Sequence, residues 1–127
     1  MDVTRSPAGI LARLDPWAPP LALMVVIFAL SAQPDLSTGL GVWDLVGRKL
    51  VHASEYALLC LLWWRALRTV TPSERAALIA FFICIAYSAT DEYHQHFVKG
   101  RHASPVDVAI DSSGAGLAAV LIARRRR

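Results

Sequence analysis

Asp91-Glu92-Tyr93-His94-Gln95-His96-Phe97-Val98-Lys99-Gly100-Arg101-His102 places eight strongly polar side chains within twelve residues. The run follows Ala76 to Thr90, which contains no Asp, Glu, Lys or Arg, and it precedes a second apolar stretch into which Asp107 and Asp111 intrude. In a soluble loop such a run says little. At the end of a membrane segment it forces ionisable groups toward lipid, where they are costly unless they line a shared interior site.

Working outward, Pro16 to Pro34 and Tyr56 to Trp64 are also free of charge, and 55% of the 127 residues are hydrophobic against 18% charged. A soluble helical bundle needs a wet face on most of its helices, so the composition reads as one membrane-embedded domain over residues 1–127. Four spans can be drawn: Trp17 to Ala32, Leu50 to Leu67, Ala76 to Thr90, and Val106 to Ala123. A perpendicular helix needs about 20 residues to cross the hydrocarbon core, so each span must draw in flanking polar residues. The second and fourth carry His52, Ser54, Glu55, Asp107 and Asp111 and require partners. The expected fold is therefore all-α, a four-transmembrane-helix bundle with a polar site near the extracytoplasmic face.

Orientation follows from the basic residues. With the N-terminus inside, Arg5, Arg13, Arg65, Arg68, Arg75 and Arg124 to Arg127 fall on the cytoplasmic side, nine in all, against Arg48, Lys49, Lys99 and Arg101 outside. That excess places both termini in the cytoplasm. All four histidines and most of the acidic residues then lie toward the outer side. Leu30 fits poorly with a small-x-small cleavage pattern, so the first segment reads as a span and not as a removed leader.

Pro19, Pro20 and Pro105 suit the first turns of helices, Thr71 is the expected N-cap of the third span, and Leu40 to Val46 with Trp43 is expected to lie along the outer interface. The terminal arginines read as an inner anchor that attracts anionic lipid, with no role in binding nucleic acid.

Helical spacing gathers the polar groups. His52, Glu55 and Tyr56 stand at i, i+3 and i+4 on one face. Ser88, Asp91, Glu92 and Gln95 do the same if the third helix runs past Thr90, and Asp107 and Asp111 stand at i and i+4 above a stripe of Gly114, Ala115 and Ala118. Small residues let helices approach closely in lipid, so the fourth helix is expected to pack centrally and hold its carboxylates toward His52 and Glu55.

Three pieces, Lys49-x-x-His52-x-x-Glu55-Tyr56-x-x-Leu59, Asp91-Glu92-x-His94-Gln95-x-Phe97-x-x-Gly100-Arg101, and Asp107 with Asp111 ahead of Gly114 and Gly116, resemble the VanZ-like family of small bacterial membrane proteins. Ser31-Ala32-Gln33-Pro34 is similar to that family's usual end of the first span. Lys99 stands where the family commonly has Pro, and Asp111 where Asn is common, which changes the charge of the site. The resemblance implies a multi-pass protein of the bacterial cytoplasmic membrane. The family's namesake is associated with resistance to a lipid-bearing glycopeptide antibiotic, so membrane lipid and an amphiphilic antibiotic or lipid-linked precursor become the partners to expect.

The residues themselves support several chemistries. His52, Glu55, Asp91, Glu92, His94, Asp107 and Asp111 are the candidate acids and bases, since buried carboxylates and a neighbouring imidazole can exchange protons with a substrate. Lys49, Tyr56, Gln95 and Arg101 are the candidate substrate contacts, with the Arg101 fork suited to a phosphate or carboxylate. His52, Glu55, Glu92, His94 and Asp111 could ligate a divalent metal, although none of the familiar zinc-protease patterns is present and no cofactor is assigned. The competing reading is a hydrogen-bonded scaffold using the same residues. No nucleophile stands out: Cys60 and Cys84 read as core residues, and serines in spans more often pack helices. Two functions stay open, a membrane hydrolase or transferase acting on an amphiphile, and a non-catalytic binding or sequestration protein.

Overall fold

A computed structural model describes residues 6–32, 41–98 and 105–125 as five helices, with no strand among the described residues. They are α1 (Pro7–Leu14), α2 (Ala18–Ser31), α3 (Val42–Leu67), α4 (Ser73–Gln95) and α5 (Pro105–Arg125). Pro19 and Pro20 fall in the first turn of α2 and Pro105 opens α5, where a missing N–H leaves no bond unmade. Gly41 caps α3 at φ 60, a conformation that suits a residue without Cβ. Thr71 does not cap α4: its N–H donates to the Leu67 carbonyl at 3.0 Å, and Pro72, extended at ψ 147, takes the cap position with no side chain to offer.

The sequence expectation did not include α1, and the helices extend past the expected spans at several ends, two of which bear on the site. α3 begins at Val42, so Trp43 and its neighbours are the first turns of a long helix and not a separate interfacial segment. α4 continues beyond Thr90 through Gln95, carrying Asp91 and Glu92 on a regular helix.

α5 packs against both α3 and α4, which also meet each other, while α2 lies more lightly against α3 and α4. The α3–α5 contact is closest at Gly114, where an added Cβ would stand 2.1 Å from the Ala53 carbonyl oxygen. Ala115 and Ala118 continue that seam, and with Ile27, Tyr56, Leu59, Cys60, Ala80 and Cys84 they form the core. Small side chains give close backbone approach and hence dense dispersion contact.

The distribution of polarity is inverted relative to a water-soluble domain. Ser31, Ser88, Asp91, Glu92, Gln95 and Asp111 are buried, whereas Val25, Leu78, Phe82 and Leu117 face outward with more than half of each side exposed. Soluble monomers rarely leave so much contiguous apolar surface in water; lipid is the solvent that suits it.

By length and composition two helices, α4 and α5, can cross a membrane, and α1 with α2, bent by 54°, form a third candidate if taken as one broken span. The four-span expectation is thus not met by composition alone. α3 is the exception because Asp44, Arg48, Lys49, Glu55 and Arg65 interrupt it; at 26 residues it is long enough but not apolar enough.

Candidate functional site

Polar side chains from α2, α3, α4 and α5 collect at the end of the bundle that carries Lys49, Gln95 and Pro105. Asp111 is the centre of the layer. Ser88 donates its hydroxyl to Asp111 Oδ2 at 2.8 Å, and His52 Nδ1 stands 3.6 Å from Asp111 Oδ1, too far for a hydrogen bond but within ion-pair range. The carboxyl side chain is 7% exposed and the imidazole 30%, so His52 lies between the interior and the surface.

Two turns further along α4, Gln95 donates through Nε2 to Ser31 Oγ at 3.0 Å and to Asp91 Oδ2 at 3.3 Å, which ties the end of α2 to α4. Glu55 lies within electrostatic reach of His52, Asp111 and Asp91. Tyr56, fully buried, points its ring into the same region and is within reach of Asp91 and Asp111. Helical spacing had put His52, Glu55 and Tyr56 on one face of α3, and that face meets the acidic face of α5 because the Gly114–Ala53 approach holds the two helices together.

The remaining candidates divide between two flanks. Lys49 Nζ pairs with Asp107 Oδ1 at 2.7 Å near the surface, and Glu92 leans against the first turn of α5 beside Val108, with Asp107 and His96 as ionisable neighbours. His94 turns the other way, its ring stacked on Phe28 of α2 at 4.3 Å between centroids. Arg101 lies outside the described residues, as do Lys99, Gly100 and His102. Since the Lys49–Asp107 pair is about one-third exposed on both sides, Lys49→Met should change stability by no more than about 1 kcal/mol. A thermal melt in detergent checks this; a loss of several kcal/mol would mean the pair is shielded from solvent.

Two members of the layer were not among the sequence candidates for chemistry. Ser88 shares the Asp91 and Gln95 stripe of α4, and that periodicity was the available signal. Ser31 is a polar residue closing an apolar run, and no spacing within α2 points to its partner on α4.

Several buried polar atoms in this layer make no hydrogen bond: Asp91 Oδ1, Asp111 Oδ1, Glu92 Oε2, Tyr56 Oη and His52 Nδ1. An unpaired buried polar group costs on the order of 1–3 kcal/mol, and such groups here are concentrated at one end of the bundle. Metal ligation is a different matter. Among the described residues no three His, Cys, Asp or Glu side chains come together as a group that would hold a metal ion, so His52, Glu55, Glu92, His94 and Asp111 do not form the three-ligand set that catalytic zinc requires. Cys60 and Cys84 are unbridged core residues, with Cys84 Sγ directed at the Tyr56 carbonyl.

An all-helical chain with an apolar exterior, a polar layer inside and helices of membrane-crossing length defines a small integral membrane protein. A model of the VanZ/LLP1 family matches residues 17–126, and the chain belongs to that family. Neither a curated protein nor a solved structure matches it.

Proposed function

We propose that this protein is an enzyme of the bacterial cytoplasmic membrane that acts at the outer leaflet on a lipid-linked or amphiphilic substrate, and that the His52–Asp111–Asp91 layer is its site. The supporting observation is that buried polar atoms without a hydrogen-bond partner, Asp91 Oδ1, Glu92 Oε2 and Tyr56 Oη, gather at one end of the bundle beside the loose His52–Asp111 ion pair. A scaffold selected only for stability would satisfy those groups or replace them with apolar side chains. Groups held without partners are free to bind and exchange protons with a substrate. His52 is the base in this reading because its half-buried imidazole stands between the buried Asp111 carboxylate and the surface, with Glu55 beside it. Asp91 and Asp111 orient the polar head of the substrate, and Lys49 and Arg101 attract an anionic group.

In this reading α2, drawing in its flanking residues, and α3 cross the membrane beside α4 and α5, the charged N-terminal turns of α3 reaching the outer interface and its polar face covered by α4 and α5. Both termini are cytoplasmic. Cysteine labelling of intact cells at Asp35 and Ser73 tests the orientation: position 35 should react with an impermeant reagent and position 73 should not. The reverse result would move the site to the inner face. Function is tested by expressing the protein in a susceptible host and measuring tolerance of a lipid-bearing glycopeptide, with membranes assayed alongside for turnover of lipid-linked precursors.

The second reading is sequestration or partner binding without catalysis. It is favoured by the hydroxyl and thiol inventory, since Ser88 is engaged by Asp111 and both cysteines sit in the core. Tolerance without turnover of any lipid-linked substrate would support it against the enzyme.

A further inference from the structure

The end of the bundle opposite the polar layer is built from different residues. Trp17 meets Trp63 edge to face at 6.3 Å between centroids, and Trp64 donates its indole N–H to Ser73 Oγ at 2.9 Å. Arg68 lies over the Trp64 ring, 4.5 Å from its centroid, and Arg65 pairs with Asp15 at 3.2 Å. Indoles with a polar handle, set beside exposed arginines, are the composition of a membrane–water boundary.

Two of these contacts fix the level of the junction between α1 and α2, because Asp15 and Trp17 both belong to it. The junction therefore sits at the boundary. α2 runs from there into the bundle, and α1 departs from its direction by 54°. No residue of α1 is buried, and Ile10, Leu11 and Leu14 are 49%, 67% and 55% exposed. Those three occupy one face by their i, i+3 and i+4 relations. An eight-residue helix is marginal in water by itself, so an apolar face of this kind needs a surface to lie on.

Charge says which surface. Arg13, Arg65, Arg68, Arg75, Arg124 and Arg125 ring this end of the bundle against Asp15 and Glu74. We propose that α1 is an in-plane membrane anchor: its Ile10–Leu11–Leu14 face seats in the headgroup–acyl boundary of the adjacent leaflet, and the surrounding arginines hold anionic lipid phosphates. Apolar burial and attraction to anionic headgroups act together in such helices, and the guanidinium fork matches a phosphate with two parallel bonds. The inference rests on the bundle being membrane-embedded and is independent of what the polar layer does.

The test uses the full chain in nanodiscs of phosphatidylcholine, with and without phosphatidylglycerol. An environment-sensitive fluorophore on Leu11→Cys should emit to the blue and be quenched by spin labels near the lipid headgroup; Cys60 and Cys84, both fully buried, should leave the unsubstituted chain unlabelled. Tryptophan-to-pyrene energy transfer should show preferred binding of pyrene-labelled phosphatidylglycerol over phosphatidylcholine. Arg13→Gln and Arg124→Gln should each weaken that preference about fivefold. Quenching by aqueous iodide without lipid quenching would put α1 in water or against another protein and overturn the anchor. Strongest quenching from the bilayer centre would make α1 and α2 one broken span, which overturns it equally. Equal binding of the two lipids would remove the arginine role. A protein that stayed in the aqueous phase without detergent would instead overturn the membrane reading itself.

Discussion

Gly114→Ala should melt at a clearly lower temperature than the native protein in detergent, with a loss of roughly 1–3 kcal/mol, the usual cost of forcing extra atoms into a packed contact. The new Cβ would meet the Ala53 carbonyl oxygen at 2.1 Å, its carbon at 2.7 Å and its Cα at 2.9 Å. Those are backbone atoms of a helix, which cannot rotate aside as a side chain can. α5 must therefore move from α3, and the displacement falls one turn from Asp111, whose alignment with His52 and Ser88 depends on the same helix pair. Activity should fall with stability. Gly116→Ala is the control, because its Cβ would meet the Phe81 ring alone, Cε2 at 3.4 Å and Cζ at 4.0 Å, and it should stay within about 0.5 kcal/mol. Equal melting of the two variants would show that the close α3–α5 approach is not what holds the bundle.

The second large effect separates chemistry from scaffolding. Asp91→Asn, Glu92→Gln, His94→Gln and Arg101→Gln should each leave the protein in the membrane at near-native abundance, while those in contact with substrate lower the biological effect by roughly 10²- to 10⁴-fold, the contribution of a positioned acid or base. A structural network would respond otherwise. Removing one partner of a buried charged pair strands the other at a cost of about 3–5 kcal/mol, and the protein should disappear from the membrane together with its function. Asp111→Asn is informative because the amide keeps an oxygen to accept from Ser88 Oγ; it should retain folding and most function. Uniform loss of expression would make the layer a scaffold. Full activity with full expression would place the site elsewhere.

Much of the candidate site could be read within single helices. His52, Glu55 and Tyr56 share a face of α3, and Ser88, Asp91 and Gln95 share one of α4, because helical spacing is a property of the chain alone. His94 shows where that reading stops. It is one residue from Gln95, yet its ring stacks on Phe28 of α2 while Gln95 bridges Ser31 and Asp91. A step of one residue turns the side chain by about 100°, and only the position of α2 determines what each direction meets.

Sequence by itself determined the helical class, the inversion of polarity between interior and exterior, and the close-packing stripe at Gly114, Ala115 and Ala118, since all three follow from composition and period. Tertiary structure decided that Asp111 is joined to Ser88 and approached by His52, that Asp107 is left to Lys49 near the surface, and that α1 bends away from α2. The reason is that these outcomes depend on the distance and rotation between helices. For α3 and α5 the Gly114 contact with Ala53 sets how closely they approach, and no spacing along a single helix encodes such relations.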